Sequence, residues 1–120
     1  MALPDRPTAF FCTSDQAAVQ LMQAFSQLGF RVPDDVSVLG FDDLPLATQV
    51  QPALTTLAQD ISQKAHLVVN MLLRHIRQRA LAPERTLLGT WLVERQSVRR
   101  LEPDSQQVDL SKTSETAIES

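Results

Sequence analysis

The stretch Arg31 to Thr56, RVPDDVSVLGFDDLPLATQVQPALTT, decides the fold. A loop at Pro33-Asp34-Asp35 leads into a short apolar run, Val36 to Phe41, that ends on two adjacent carboxylates, Asp42 and Asp43. Acidic side chains at the carboxyl end of a strand mark the edge at which open α/β sheets bind small molecules. The next residues, Leu44-Pro45-Leu46-Ala47, read as a loop that exposes apolar side chains. The chain then returns through Pro52-Ala53-Leu54-Thr55-Thr56.

Upstream, Ala9-Phe10-Phe11-Cys12 is a continuous apolar run of the kind needed by a strand covered on both faces, and it stops at the polar turn Thr13-Ser14-Asp15. Thr13 and Gln16 have capping-box spacing, and Ala18, Leu21, Met22, Phe25 and Leu28 then recur with a helical period. Gly29 stands where a helix end takes a left-handed residue. A strand, a helix and a second strand in this order predict two parallel strands with a right-handed crossover.

Downstream, Thr55-Thr56-Leu57-Ala58 is a short extended piece, and Asp60 with Gln63 forms a second candidate cap. Ile61, Ala65, Val68, Val69, Leu72, Leu73 and Ile76 mark one face of a helix running to about Arg79, an amphipathic helix expected to lie on a core. After Pro83, Thr86-Leu87-Leu88 and Trp91-Leu92-Val93 read as two strands or as one strand broken at Gly89. From Glu102 the sequence turns polar, and 101–120 is expected to be a disordered tail. Val108 and Leu110 are too few for an assembly heptad. The expected fold class is therefore α/β, a parallel sheet with flanking helices, in one domain spanning 7–100.

Composition narrows the function. The chain has 120 residues, 43% of them hydrophobic, enough for a core of ordinary size. A net charge of −3 argues against tight binding to phosphate backbones, which needs clustered Lys and Arg. Arg95, Arg99 and Arg100 are too slight a cluster to change that and read as a solvated chain end. One cysteine, Cys12, makes no internal disulfide. The first six residues lack the basic and apolar regions of a signal peptide, and no apolar run reaches the length of a membrane span. The expectation is a cytoplasmic piece of something longer, with no membrane partner. Catalysis has little support: His66 and His75 sit nine positions apart on one helix but not on one face, Cys12 reads as a small buried hydrophobe, and with three glycines there is no phosphate loop. No catalytic group, metal or cofactor is expected.

The segments PTAFFCTSD, LGFRVPDDVSVLGFDD, PALTTLAQD and LVERQS, taken together, resemble the sensor region of the LacI family of bacterial transcriptional regulators, from Pro7 to about Arg99. The resemblance implies a partial periplasmic-binding-protein-like fold that binds a small sugar-like effector between two subdomains and dimerises. It has no counterpart for the family's helix-turn-helix headpiece, its hinge or the first half of its sensor, so operator DNA is reached only through a headpiece missing from this chain. It places 7–57 in one subdomain, and the Asp60 helix with the Thr86 to Glu94 strands in the other.

Residue by residue, the resemblance makes Asp42 an effector contact, where the competing reading is a carboxylate that satisfies turn amides. Asp43 reads as structural or as a bridge to a neighbouring loop. Ser14, where many members have Asn, is either a crevice hydroxyl or the cap of the following helix. Gln59 and Ile61 match crossover positions lining the cleft, Gln59 as ligand or hinge contact and Ile61 more as core. Asp15 reads as a helix-start charge favoured by the dipole, the alternative being a role in the allosteric switch. Val19, Met22, Leu46, Gln49 and Val50 fall where the family meets its twin across a two-fold axis. The rival reading is a fragment of a periplasmic sugar-binding transport protein, with an enzyme on a doubly wound scaffold a distant third.

Overall fold

A computed structural model of the chain describes residues 5–102, so all but the first two residues of the expected tail lie outside it. The elements run β1 (Ala9–Phe11), α1 (Asp15–Gln27), β2 (Ser37–Asp42), α2 (Leu46–Gln49), β3 (Thr55–Gln59), α3 (Ile61–Arg77) and β4 (Thr90–Val93). The open sheet has the order β1-β2-β3-β4. Its first three strands are parallel, with Ala9 opposite Ser37 and Leu39 opposite Thr55, and β4 closes it antiparallel with Val93 opposite Thr56.

The α1 unit follows from its sequence. Of the two candidate caps, Ser14 and not Thr13 is the one used: its hydroxyl accepts from the amide of Ala17 at 3.2 Å. The helix ends in a Schellman turn, with Phe30 N–H donating to Phe25 C=O at 2.9 Å and Gly29 N–H to Ser26 C=O at 3.1 Å. Gly29 has the positive φ, 82°, that this turn needs. The apolar contact that accompanies such a turn is the edge-on pair Phe25 and Phe30, 6.0 Å apart, and Phe10 of β1 packs on the other side of Phe25 at 5.3 Å. Ala18, Met22 and Phe25 of α1 join Val36, Val38, Ala47 and Leu54 in the buried core. The loop expected at Leu44–Ala47 contains a one-turn helix instead, and Ala47 is fully buried.

Before β2, the carboxylate of Asp35 accepts from Arg31 N–H at 2.7 Å and from its guanidinium Nε at 3.3 Å. The backbone donor first, and the side-chain donor after it, hold the Asp35 pKa below the ordinary aspartate range.

The end of the LVERQS segment runs on after β4 as a strap whose bonding role the sequence did not show, and it locks the sheet. Ser97 is fully buried, and its hydroxyl accepts from Thr55 N–H at 2.8 Å while donating to the Val38 carbonyl. Val38 N–H returns a bond to the Ser97 carbonyl at 2.9 Å, and Gln96 N–H reaches the Ala53 carbonyl at 3.0 Å. The segment thus fills the place where β2 and β3 diverge below their first register pair.

Two expectations are corrected. The helix after Asp60 forms, capped by that carboxylate on Gln63 N–H at 2.8 Å, but it stops at Arg77 and none of its residues is buried. Val68, Leu72 and Ile76 are 56, 58 and 62% exposed, and Ile61, expected in the core, is half exposed. Periodicity specifies an apolar face but not the surface that covers it, and among the described residues only the segment 86–88 comes near this one, leaving it largely exposed. The packed body is 9–59 with the strap, and α3 stands off it. The strand expected at Thr86–Leu88 is also absent, because Thr90 already pairs with Gln59, the last residue of β3, and earlier residues have no strand beside them.

Replacing Ser97 by Ala orphans a buried amide and a buried carbonyl, and the expected cost is about 1–3 kcal/mol, read as a fall in the urea midpoint; Leu72→Ala on α3 should stay within about 0.5 kcal/mol. For Asp35, the lowered folded pKa means that its stabilisation is complete above the ordinary aspartate value and is lost as the pH falls through the folded one. Asp35→Asn should therefore flatten the acid limb of a stability profile below about pH 4 and leave neutral-pH shape unchanged.

Candidate functional site

Three parallel strands bring their carboxyl ends to one edge, and this sets Ser14, Asp42 and Gln59 along it in the order β1, β2, β3. Two of them touch. Gln59 Nε2 donates to Asp42 Oδ1 at 2.8 Å, and Lys64 Nζ, from the first turn of α3, reaches Gln59 Oε1 at 3.4 Å. All three strand-end residues are half-buried. Ser14 caps α1, and a capping hydroxyl accepts through its oxygen while keeping a hydrogen to donate. Gln59 and Lys64 also open on a concavity of about 250 Å³ toward α3, with Leu67, Met71 and Leu87 on its walls.

The turn after β2 is held under strain. Asp42 and Asp43 have φ of 113° and 57°, left-handed values that cost side-chain-bearing residues about 1–3 kcal/mol each. Such a conformation persists only where its surroundings over-determine it, and here three consecutive residues are each tied to a different element. Asp42 is bound by Gln59 of β3, Asp43 by Arg95 of the strap at 2.6 Å, and Leu44 N–H by the Asp15 carboxylate of α1 at 2.7 Å.

Asp15 and Arg95 are the residues the sequence reading undervalued. Asp15 is completely buried: Oδ2 takes Leu44 N–H and Oδ1 takes the Thr56 hydroxyl at 2.6 Å. A carboxylate at the first position of a helix is already favoured there by the helix dipole when it points to solvent, so no local pattern required these partners. The signal was Gly40. A Cβ there would strike Asp15 Oδ1 and stand 2.9 Å from Leu54 Cδ2, so a glycine inside an apolar strand marked a close approach. Arg95 is not part of a solvated cluster. Its side chain is 18% exposed, and it donates through Nη1 to the Leu54 carbonyl at 2.9 Å as well as to Asp43. Arg99 and Arg100 are exposed, and Asp43 is the bridge expected of it.

On the far side of α1, Val19, Met22, Phe30, Val32, Val50 and Pro52 line a groove of about 350 Å³. Of the five residues expected to face a twin, Val19, Met22 and Val50 therefore come together. Met22 is 7% exposed, a core side chain whose remaining surface floors the groove. Leu46 and Gln49 ride on α2, half-buried and exposed. Cys12 is half-buried against the core, where burial pushes its thiol pKa up and away from nucleophilic use.

Arg95→Met would leave the Leu54 carbonyl and the Asp43 carboxylate without their charged donor. The expected loss is about 2 kcal/mol in chemical denaturation, with Asp43→Ala costing less because the Leu54 bond survives.

The sequence matches the periplasmic binding protein-like domain over residues 1–98. It is 40% identical to the probable HTH-type transcriptional repressor ExuR of Bacillus subtilis over 101 residues, 84% of this chain and 30% of that protein. It is 44% identical to the ribose operon repressor of Haemophilus influenzae over 72 residues, 60% of this chain and 22% of that protein. In structure it is similar to a LacI family transcriptional regulator from Enterococcus faecalis with bound ribose, at a TM-score of 0.72 and 31% identity, over 82% of this chain and 37% of that one. A complex of the transcriptional regulator CelR with cellobiose gives a TM-score of 0.69 at 30% identity, over 75% of this chain and 28% of that one. The chain thus spans about a third or less of the proteins it matches.

Proposed function

The chain belongs to the periplasmic binding protein-like family, among its LacI-type regulators, and on that footing we propose that it forms the carboxyl-terminal part of an effector sensor. The ligand is a small sugar-like molecule, held at the carboxyl edge of the sheet. The observation that carries this reading is the Asp42–Gln59 pair, a carboxylate and an amide side by side at the ends of adjacent parallel strands. A carboxylate accepts charge-assisted hydrogen bonds from hydroxyls, and an amide offers both donor and acceptor, which is the complement of a vicinal diol. Ser14 would add a third polar contact on the same edge. Sugars bound to the structural relatives supply the ligand class.

In this reading the chain performs no reaction, in keeping with relatives that are transcriptional repressors. The same relatives disfavour the transport-protein alternative. The Val19–Val50 groove is the docking surface for a second copy, with Leu46 and Gln49 at its margin, an isologous contact that each copy completes for the other. Operator DNA would be contacted by the headpiece of a whole regulator in the cytoplasm, and effector binding at the Asp42 edge would reach it by closure of the cleft.

The single tryptophan, Trp91, pairs with Ala58 one position from Gln59 and gives an intrinsic reporter. Titration with D-ribose and with cellobiose should give a saturable emission change with at least one of them, and Asp42→Ala should weaken it at least tenfold. An unchanged dose-response in that variant removes Asp42 from the site. In a whole regulator the same substitution should blunt the effector response and leave operator affinity intact, whereas Val50→Glu should lower the dimer fraction in sedimentation.

A further inference from the structure

We propose that Asp15 is a positioning residue that sets the ligand edge and the docking groove as one unit, its buried carboxylate holding the Asp42–Leu44 turn from beneath. The inference rests on the reading of Asp42 as a ligand contact and of the Val50 groove as a docking surface, and it adds the group that links them.

Leu44 is the middle of the connection. Its N–H is fixed on Asp15 Oδ2, and two residues earlier stands Asp42, whose carboxylate holds Gln59. In the other direction the Leu44 carbonyl accepts from Ala47 N–H at 2.9 Å, starting α2, and the Ala47 carbonyl accepts from Leu54 N–H at 2.8 Å. Val50, just past α2, lines the groove. The other oxygen of Asp15 is taken by Thr56, three residues before Gln59 on the same strand. One carboxylate therefore holds the turn that carries Asp42 and the strand that carries Gln59. Asp15 is fully buried and lies where a Cβ on Gly40 would strike it, so the carboxylate sits directly against β2 as well as against its two partners. A ligand that draws Asp42 away from Gln59 must either strain the Asp15–Leu44 bond or carry Leu44 and α2 with it. Packed interiors resolve such a conflict by switching between discrete arrangements, not by gradual drift.

The test uses the whole chain labelled with ¹⁵N. It follows the side-chain amide of Gln59 and the backbone amides of Leu44 and Leu46–Gln49, with sedimentation for the dimer dissociation constant. Thr56→Val removes one bond to Asp15, and Asp15→Asn keeps an oxygen for Leu44 N–H while its NH₂ can donate to the Thr56 hydroxyl. Phe25→Leu, in the core and outside this network of bonds, controls for lost stability at a matched urea midpoint and is read on the resonances alone, because Phe25 packs against Phe30 of the groove. The expected result is that Thr56→Val shifts the Gln59 and α2 resonances together and in proportion, and raises the dimer dissociation constant about tenfold. Asp15→Asn should shift them less, Asp15→Ala more, and Phe25→Leu should leave them in place. If Asp15→Ala does not fold, Thr56→Val and Asp15→Asn decide the matter. Independent shifts at the two places, or the same shifts in Phe25→Leu, overturn the proposal. A wild-type chain that stays monomeric at all concentrations defeats the docking reading alone, and the resonances then judge the coupling without it.

Discussion

A carboxylate with no exposed surface, bonded at once to a backbone amide and a threonine hydroxyl, is the constraint around which the described structure is arranged. Asp15 begins α1 directly after β1, so its position is fixed by the first strand-to-helix turn. Its two partners belong to the turn after β2 and to β3, which brings three chain segments to one buried point. Burying a charge is costly unless donors replace the lost water, and two short bonds together with the amino end of α1 do so here. Gly40 is required in turn, because any side chain on β2 at that level would occupy the space of the carboxylate.

With that point fixed, the strain at Asp42 and Asp43 becomes tolerable. A left-handed pair of aspartates would relax if only one of the three turn residues were held. Gln59, Arg95 and Asp15 hold all three, and they come from β3, the strap and α1. The same arrangement points Asp42 at the edge where a ligand is expected and Asp43 back into the body. Two adjacent and chemically identical residues thereby acquire different roles from backbone geometry alone.

How much of this was legible in the sequence depended on whether the determining interactions were local. The α1 unit was readable because its period, its Gly29 stop and its polar start all lie within about twenty residues, and the structure had only to choose Ser14 over Thr13 as the cap. The parallel pairing of β1 and β2 followed from a crossover rule. Asp42 and Gln59 were legible as strand-end polar residues, although their mutual bond was not. What escaped depended on partners far away in sequence: Asp15 needs Thr56, Arg95 needs Asp43 and Leu54, and Ser97 needs Val38 and Thr55. A serine, an arginine and a helix-start aspartate carry no local mark of burial. The opposite error, placing α3 on a core, came from a period that is genuine but describes one side of a contact only.

The antiparallel pairing of β3 with β4 means that the chain leaves for α3 and returns from it through neighbouring strands. At the root of that pairing both strands are clamped, β3 by the Asp15–Thr56 bond and the returning chain by Arg95 on the Leu54 carbonyl. A load applied through α3 therefore meets both strands in parallel and is borne as shear along their ladder, while rotation of the pair is opposed by β2, which holds β3 as far as Ala58. Gln59 is the one β3 residue beyond that ladder, so turning α3 against the body would load Gln59 and the carboxylate it holds before the rest of the strand.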